Sequence, residues 1–74
     1  MRELEAAVLT EDLPEYGLQE GDIGTVVLTH REGAGYEVEF TTLGGDTVGV
    51  VALLAHQLRP IGRQEIAHAR ALVS

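Results

Sequence analysis

The chain has 74 residues, 45% of them hydrophobic, with a mean hydropathy of +0.07 and twelve acids against five basic residues, a net charge of -7. That length allows one domain, which buries only about 60% of the surface its unfolded chain exposes, and the hydrophobic content excludes a disordered chain. With no cysteine there is neither a disulfide nor a thiolate metal site, so stability must come from core packing or self-association, and a reducing cytoplasm fits best.

The opening MRELEAAVLTED lacks the long apolar core of a secretory signal, and no run approaches the roughly 18 apolar residues of a membrane span. A soluble, untargeted protein is expected. Ala6-Ala7-Val8-Leu9 is bounded by acidic residues and predicts a short first strand. TEDLPEYGLQEGD follows, and its Pro14, Gly17, Gly21 and many acids predict a long ordered loop that Leu13, Tyr16 and Leu18 tuck against the core.

Ile23-Gly24-Thr25-Val26-Val27-Leu28-Thr29-His30 is rich in β-branched residues and predicts a strand buried on much of both faces. Arg31-Glu32-Gly33-Ala34-Gly35 then connects a hairpin, its glycines supplying positive φ. Tyr36-Glu37-Val38-Glu39-Phe40 alternates cleanly, which turns Tyr36, Val38 and Phe40 inward and the two glutamates to water. Leu43-Gly44-Gly45-Asp46 makes a second turn into Thr47–Leu53, where Val48, Val50 and Ala52 share one face.

Three strands joined by short turns make an antiparallel meander. Leu54-Ala55-His56 predicts one helical turn, and Gln57-Leu58-Arg59 a last short strand that Pro60 confines to an edge or an end. The expected fold is all-β: a small SH3-like five-stranded barrel over residues 1–62, an OB-like arrangement being the alternative the spacing leaves open. Residues 63–74 are expected to form a short C-terminal helical segment, with Ile66, Ala69 and Val73 on one face. A helix this short is marginal alone, so the segment docks on its own barrel, docks on another copy, or frays.

VLTEDLPEYGLQEGDIGTVV, YEVEF, GGDTVGVV and LRPIGRQEIAHAR together resemble a family of small bacterial proteins described only as a domain of unknown function, over about Leu4 to Arg70. The resemblance implies an SH3-like barrel, and it implies for some members an origin in mobile gene cassettes or beside toxin-like genes. It brings no catalytic or binding residues with it. A partial similarity, confined to GDIGTVV, links one turn and one strand to barrels of the KOW type and to the barrel of nitrile hydratase β-chains.

GDIGTVV contains neither phosphate-cradling glycine pattern, and the chain has no lysine, so Gly21 and Asp22 are expected to turn the chain. Gly24 then permits a bulge or a close backbone approach. The loop acids Glu11, Asp12, Glu15, Glu20 and Asp22 do not follow calcium-loop spacing. Glu37 and Glu39 lie about 7 Å apart along one strand face, a separation shared by acid/base pairs and by ordinary solvated positions. His30, His56 and His68 lack the i, i+4 spacing of paired metal ligands, and Ser74 and the threonines lack a neighbouring base. No catalytic residue, metal or cofactor is assigned.

Residues 1–46 hold eleven of the twelve acids against Arg2 and Arg31, a net of -9, whereas residues 47–74 hold Glu65 against Arg59, Arg63 and Arg70, a net of +2. An acidic body repels phosphate backbones and attracts cationic partners. The expected function is therefore a non-catalytic protein-interaction module, an antitoxin-like or regulatory partner of a neighbouring gene's product. Asp12, Glu15, Tyr16 and Glu20 would meet a basic protein surface, with Tyr16 as anchor. The alternatives are a nucleic-acid-associated barrel using Arg59, Arg63 and Arg70, and a structural homo-oligomer joined through the C-terminal segment.

Overall fold

A computed structural model describes residues 1–72, apart from the Glu32 side chain; Val73, expected on the apolar face of the tail helix, and Ser74 lie outside the described residues. The chain forms five strands: β1 Ala6–Leu9, β2 Ile23–Thr29, β3 Gly35–Thr41, β4 Thr47–Leu54 and β5 Leu58–Pro60. They make one antiparallel sheet in the order β4-β3-β2-β1-β5. The sheet therefore has two ends, β4 and β5, in place of the closed ring of pairings a full barrel would need. The expected helical turn before β5 is a 3-10 turn, Ala55–Gln57.

The strict alternation of β3 organises the core. Tyr36, Val38 and Phe40 are buried, and the register sets Val26 of β2 and Val51 of β4 on either side of Val38. Leu53 faces Tyr36, and Ala7, Leu9 and Leu58 extend the same layer into β1 and β5. Leu13 and Leu18 close it from the first loop.

Two strand expectations are corrected by this register. Val48, Val50 and Ala52 do not all share a face: Val50 and Ala52 are exposed on the outer one while Val51 and Leu53 point into the core, and Val48, beside the register shift at Phe40/Thr41, packs against the core. The segment VGVVALL is apolar at both parities, so its own composition could not choose, and β3 chose for it. β2 buries only Gly24 and Val26; Ile23, Val27 and Leu28 are exposed, and the register shifts between Val26 and Leu28, where β2 bends away from its partner.

The C-terminal helix is absent from residues 63–72, whose one local feature is a turn at Arg63–Gln64. Glu65, three residues after Gly62, accepts the Gly62 amide at 2.6 Å and is held by Arg59, and Arg70 reaches back to the first loop. A segment this short gains little from its own helical bonds. It is held instead by two side chains, Glu65 on Arg59 of β5 and Arg70 on Asp22 of the first loop.

Gly24 packs where no side chain fits. A Cβ there would stand 2.5 Å from Val38 Cγ1 and 2.9 Å from both the Glu39 carbonyl oxygen and Phe40 Cε1. Replacing Gly24 with alanine should destabilise the fold by about 1–3 kcal/mol through overpacking. Thermal unfolding checks this, at roughly 4–8 °C of Tm per kcal/mol for a domain of this size. An unchanged midpoint would mean that β2 and β3 separate freely.

Candidate functional site

The first loop is a pinned structure. Leu13 and Leu18 exchange both backbone hydrogen bonds, at 2.9 and 3.1 Å, which closes a small hairpin around the 3-10 turn Pro14–Tyr16. Pro14 opens that turn with its fixed φ, and Gly17 closes it at φ +71, where a residue with a Cβ would be strained. Two acids complete the frame. Asp12 Oδ1 accepts the Glu20 amide at 2.8 Å, and Asp22 Oδ2 accepts the Gln19 amide at 2.9 Å.

The four acidic-loop residues singled out from the sequence thus divide. Glu15 and Tyr16 stand exposed on the turn and the Glu20 side chain is exposed beyond it, whereas the Asp12 carboxylate is engaged in holding the loop shut. Tyr16 does not tuck against the core as Leu13 and Leu18 do; it is 50% exposed. The hairpin that buries the two leucines turns the residue between them outward. Glu11, beside this surface, accepts a hydrogen bond from Gln57 Nε2 at 3.2 Å and ties the loop to the turn before β5.

The three arginines have separate fates. Arg59 grips Glu65 with two parallel hydrogen bonds of 2.7 and 2.6 Å. Arg70 forks onto Asp22, with Nε at 2.8 Å from Oδ1 and Nη2 at 2.5 Å from Oδ2, and also donates to the Gly17 carbonyl at 3.1 Å. Arg63 makes no ion pair among the described residues. Both forks are intramolecular, so two of the three proposed phosphate or intersubunit contacts are already neutralised by the chain's own acids.

The acids respond accordingly. The Arg59 hydrogen bonds, aided by the Gly62 amide, lower the Glu65 carboxyl to about 2. Burial pushes Asp22 up, but the Arg70 hydrogen bonds and the Gln19 amide together outweigh it and hold the carboxyl below its usual range. The sequence carried a trace of the first pair, since a glutamate three residues after Gly62 has the spacing of a capping carboxylate. It carried none of the second, because Asp22 and Arg70 are 48 residues apart.

The histidines lie apart in function. His30 Nε2 is 3.2 Å from Glu37 Oε2 on the outer face, and the His56 carbonyl accepts the Thr10 hydroxyl at 2.9 Å. Among the described residues no three His, Asp or Glu side chains converge as a metal site would require, and no helix is long and apolar enough to cross a membrane. Glu37 and Glu39 are half-buried, engaged with His30 and with the Thr47 hydroxyl respectively.

Arg70→Ala should release the tail from the loop, read as trypsin cleavage after Arg63 several times faster than in the wild type, with little change in the melting of the sheet. Acid should do the same without mutation. Both partner carboxyls are depressed when folded, so the clasps are complete above the ordinary carboxylate range; as pH falls below it the Asp22 clasp is lost, and the Glu65 clasp is lost as pH falls towards about 2. Amide exchange of the tail across that range checks the sign; protection that grows on acidification would refute it.

A family model for a domain of unknown function (DUF4926) matches residues 3–60, which span the whole sheet and the pinned loop. No curated protein matches the chain, and neither does any solved structure. With more than half of its length matched from β1 to β5, the chain belongs to the DUF4926 family.

Proposed function

We propose that this protein is a non-catalytic interaction module of SH3-like architecture that holds a basic protein surface with its first loop. The architectural part is supported by the strand order, by the long loop between β1 and β2, and by the 3-10 turn leading into β5. The functional part is carried by one observation. Tyr16 is presented half-exposed, between acids, on a loop fixed by the Leu13–Leu18 exchange, Asp12 and Asp22.

Rigid presentation matters because an aromatic anchor that is already ordered loses little conformational entropy on binding. The surrounding charge of -9 in residues 1–46 steers a cationic partner toward the anchor and is felt mainly in the association rate. In its cytoplasmic setting the partner would be the product of a neighbouring gene, which the module restrains or regulates as an antitoxin does. The arginine forks argue in the same direction, since they take Arg59 and Arg70 away from phosphate.

The experiment is co-purification from the host with wild type, Tyr16→Ala and the Glu15→Lys/Glu20→Lys double variant, followed by titration of the recovered partner. Tyr16→Ala should weaken binding by about tenfold or more. The double reversal should slow association and flatten its salt dependence. Binding that both variants leave intact would remove this loop as the interface, and co-elution of nuclease-sensitive nucleic acid alone would replace the protein-binding reading.

A further inference from the structure

The two ends of the sheet are guarded very differently. β5 is three residues long and carries Arg59 and Pro60, two common devices against edge pairing. β4 runs for eight residues, TVGVVALL, with no charge and no proline, and among the described residues only β3 pairs with it. Val50 and Leu54 are 53% and 57% exposed, and Ala52 between them is exposed as well.

The hydrogen-bond phase shows which backbone groups this edge offers. The Val26 amide donates to the Glu5 carbonyl and the Val26 carbonyl accepts from Leu4, so the Val26 backbone faces β1. Its opposite number Val38 must then bond toward β4, where it meets Val51. Alternation leaves the N–H and C=O groups of Val50, Ala52 and Leu54 pointing away from β3, with the Leu54 N–H already donating to Gln57 Oε1 of the same chain at 2.8 Å. Their side chains lie on the outer face, beside a shallow apolar hollow of about 280 Å³ that also involves His30 and Gly35.

We infer that β4 is the self-association edge of this protein, and that its occupant is β4 of a second copy running antiparallel to form one continuous ten-stranded sheet. Charge selects this occupant. No acid lies between Asp46 and Glu65, so β4 is the stretch where two chains of net charge -7 can meet without like charges in contact. The nearest carboxylates on β3 are engaged within their own chain, Glu37 with His30 and Glu39 with Thr47. A basic partner would find nothing on β4 to recognise. A two-fold antiparallel pairing sets the same uncharged, apolar strand against itself and satisfies the outward backbone groups on both sides. This edge is separate from the acidic loop and does not depend on the function proposed for it.

Sedimentation equilibrium from about 1 µM to about 1 mM should show a mass rising from 7.9 kDa toward twice that value. Ala52→Lys and Ala52→Glu should each raise the dimer dissociation constant by about tenfold or more through like-charge juxtaposition, and an equimolar mixture should recover it. Glu15→Lys/Glu20→Lys should leave the mass unchanged, which separates this edge from the loop interface. A single-chain mass throughout, or an unaltered dimer in both Ala52 variants, overturns the proposal. Should a variant not melt cooperatively, amide exchange of the wild type decides. Exchange at Val50 and Ala52 that slows with concentration is expected, and exchange independent of concentration refutes it.

Discussion

The row formed by Val26, Val38 and Val51 is the constraint from which the other positions follow. All three are buried, and the close passage of β2 over β3 at Gly24 keeps them in step. A side chain at Gly24 would push β2 off the core, and β1, β5 and the first loop are all reached through β2. Because side chains alternate with period 2, locking this row also decides which residues of β4 face water. The surfaces proposed for binding are consequences of a packing decision made in the centre of the molecule.

Acidic residues serve two purposes here, and the backbone separates them. Asp12 and Asp22 accept main-chain amides and give the first loop one shape, while Glu15 and Glu20 on the same loop face water. Asp22 does more. Its carboxylate also receives Arg70, so the loop and the C-terminal tail share an anchor. The Asp22–Arg70 fork is only partly exposed, at 16% and 26% of the two side chains, and is less screened than the more open Arg59–Glu65 pair. The tail is thus fastened at two points of unequal exposure, one near each end of the segment.

The tail and β4 illustrate opposite ways of treating exposed structure. The tail takes up the two arginines that would otherwise extend a cationic surface, and it returns them to acids of the same chain. β4 has no such treatment: Gln57 takes the Leu54 amide, but the backbone groups of Val50 and Ala52 point away from β3 beside exposed valine and leucine. A chain of this size buries only about 60% of its unfolded surface, so pairing an edge with a second copy adds burial that its own length cannot supply.

The order of the elements was legible from residues near one another in the chain. The β3 alternation, the glycine-containing turns, Pro14 and Gly17 in the loop, and Pro60 at the end of β5 all act over a few residues, and each appears where the sequence places it. The exposure of Glu15 and Glu20 was legible for the same reason, because acids in a polar loop turn to water. The outward turn of Tyr16, expected to tuck beside the two leucines, was set instead by the Leu13–Leu18 pairing. The face of β4, the one-sided burial of β2, the absence of a tail helix and the Asp22–Arg70 fork were decided only by tertiary structure. Each depends on which distant strand or acid stands opposite. That is a matter of register and charge pairing across tens of residues, which local periodicity does not encode.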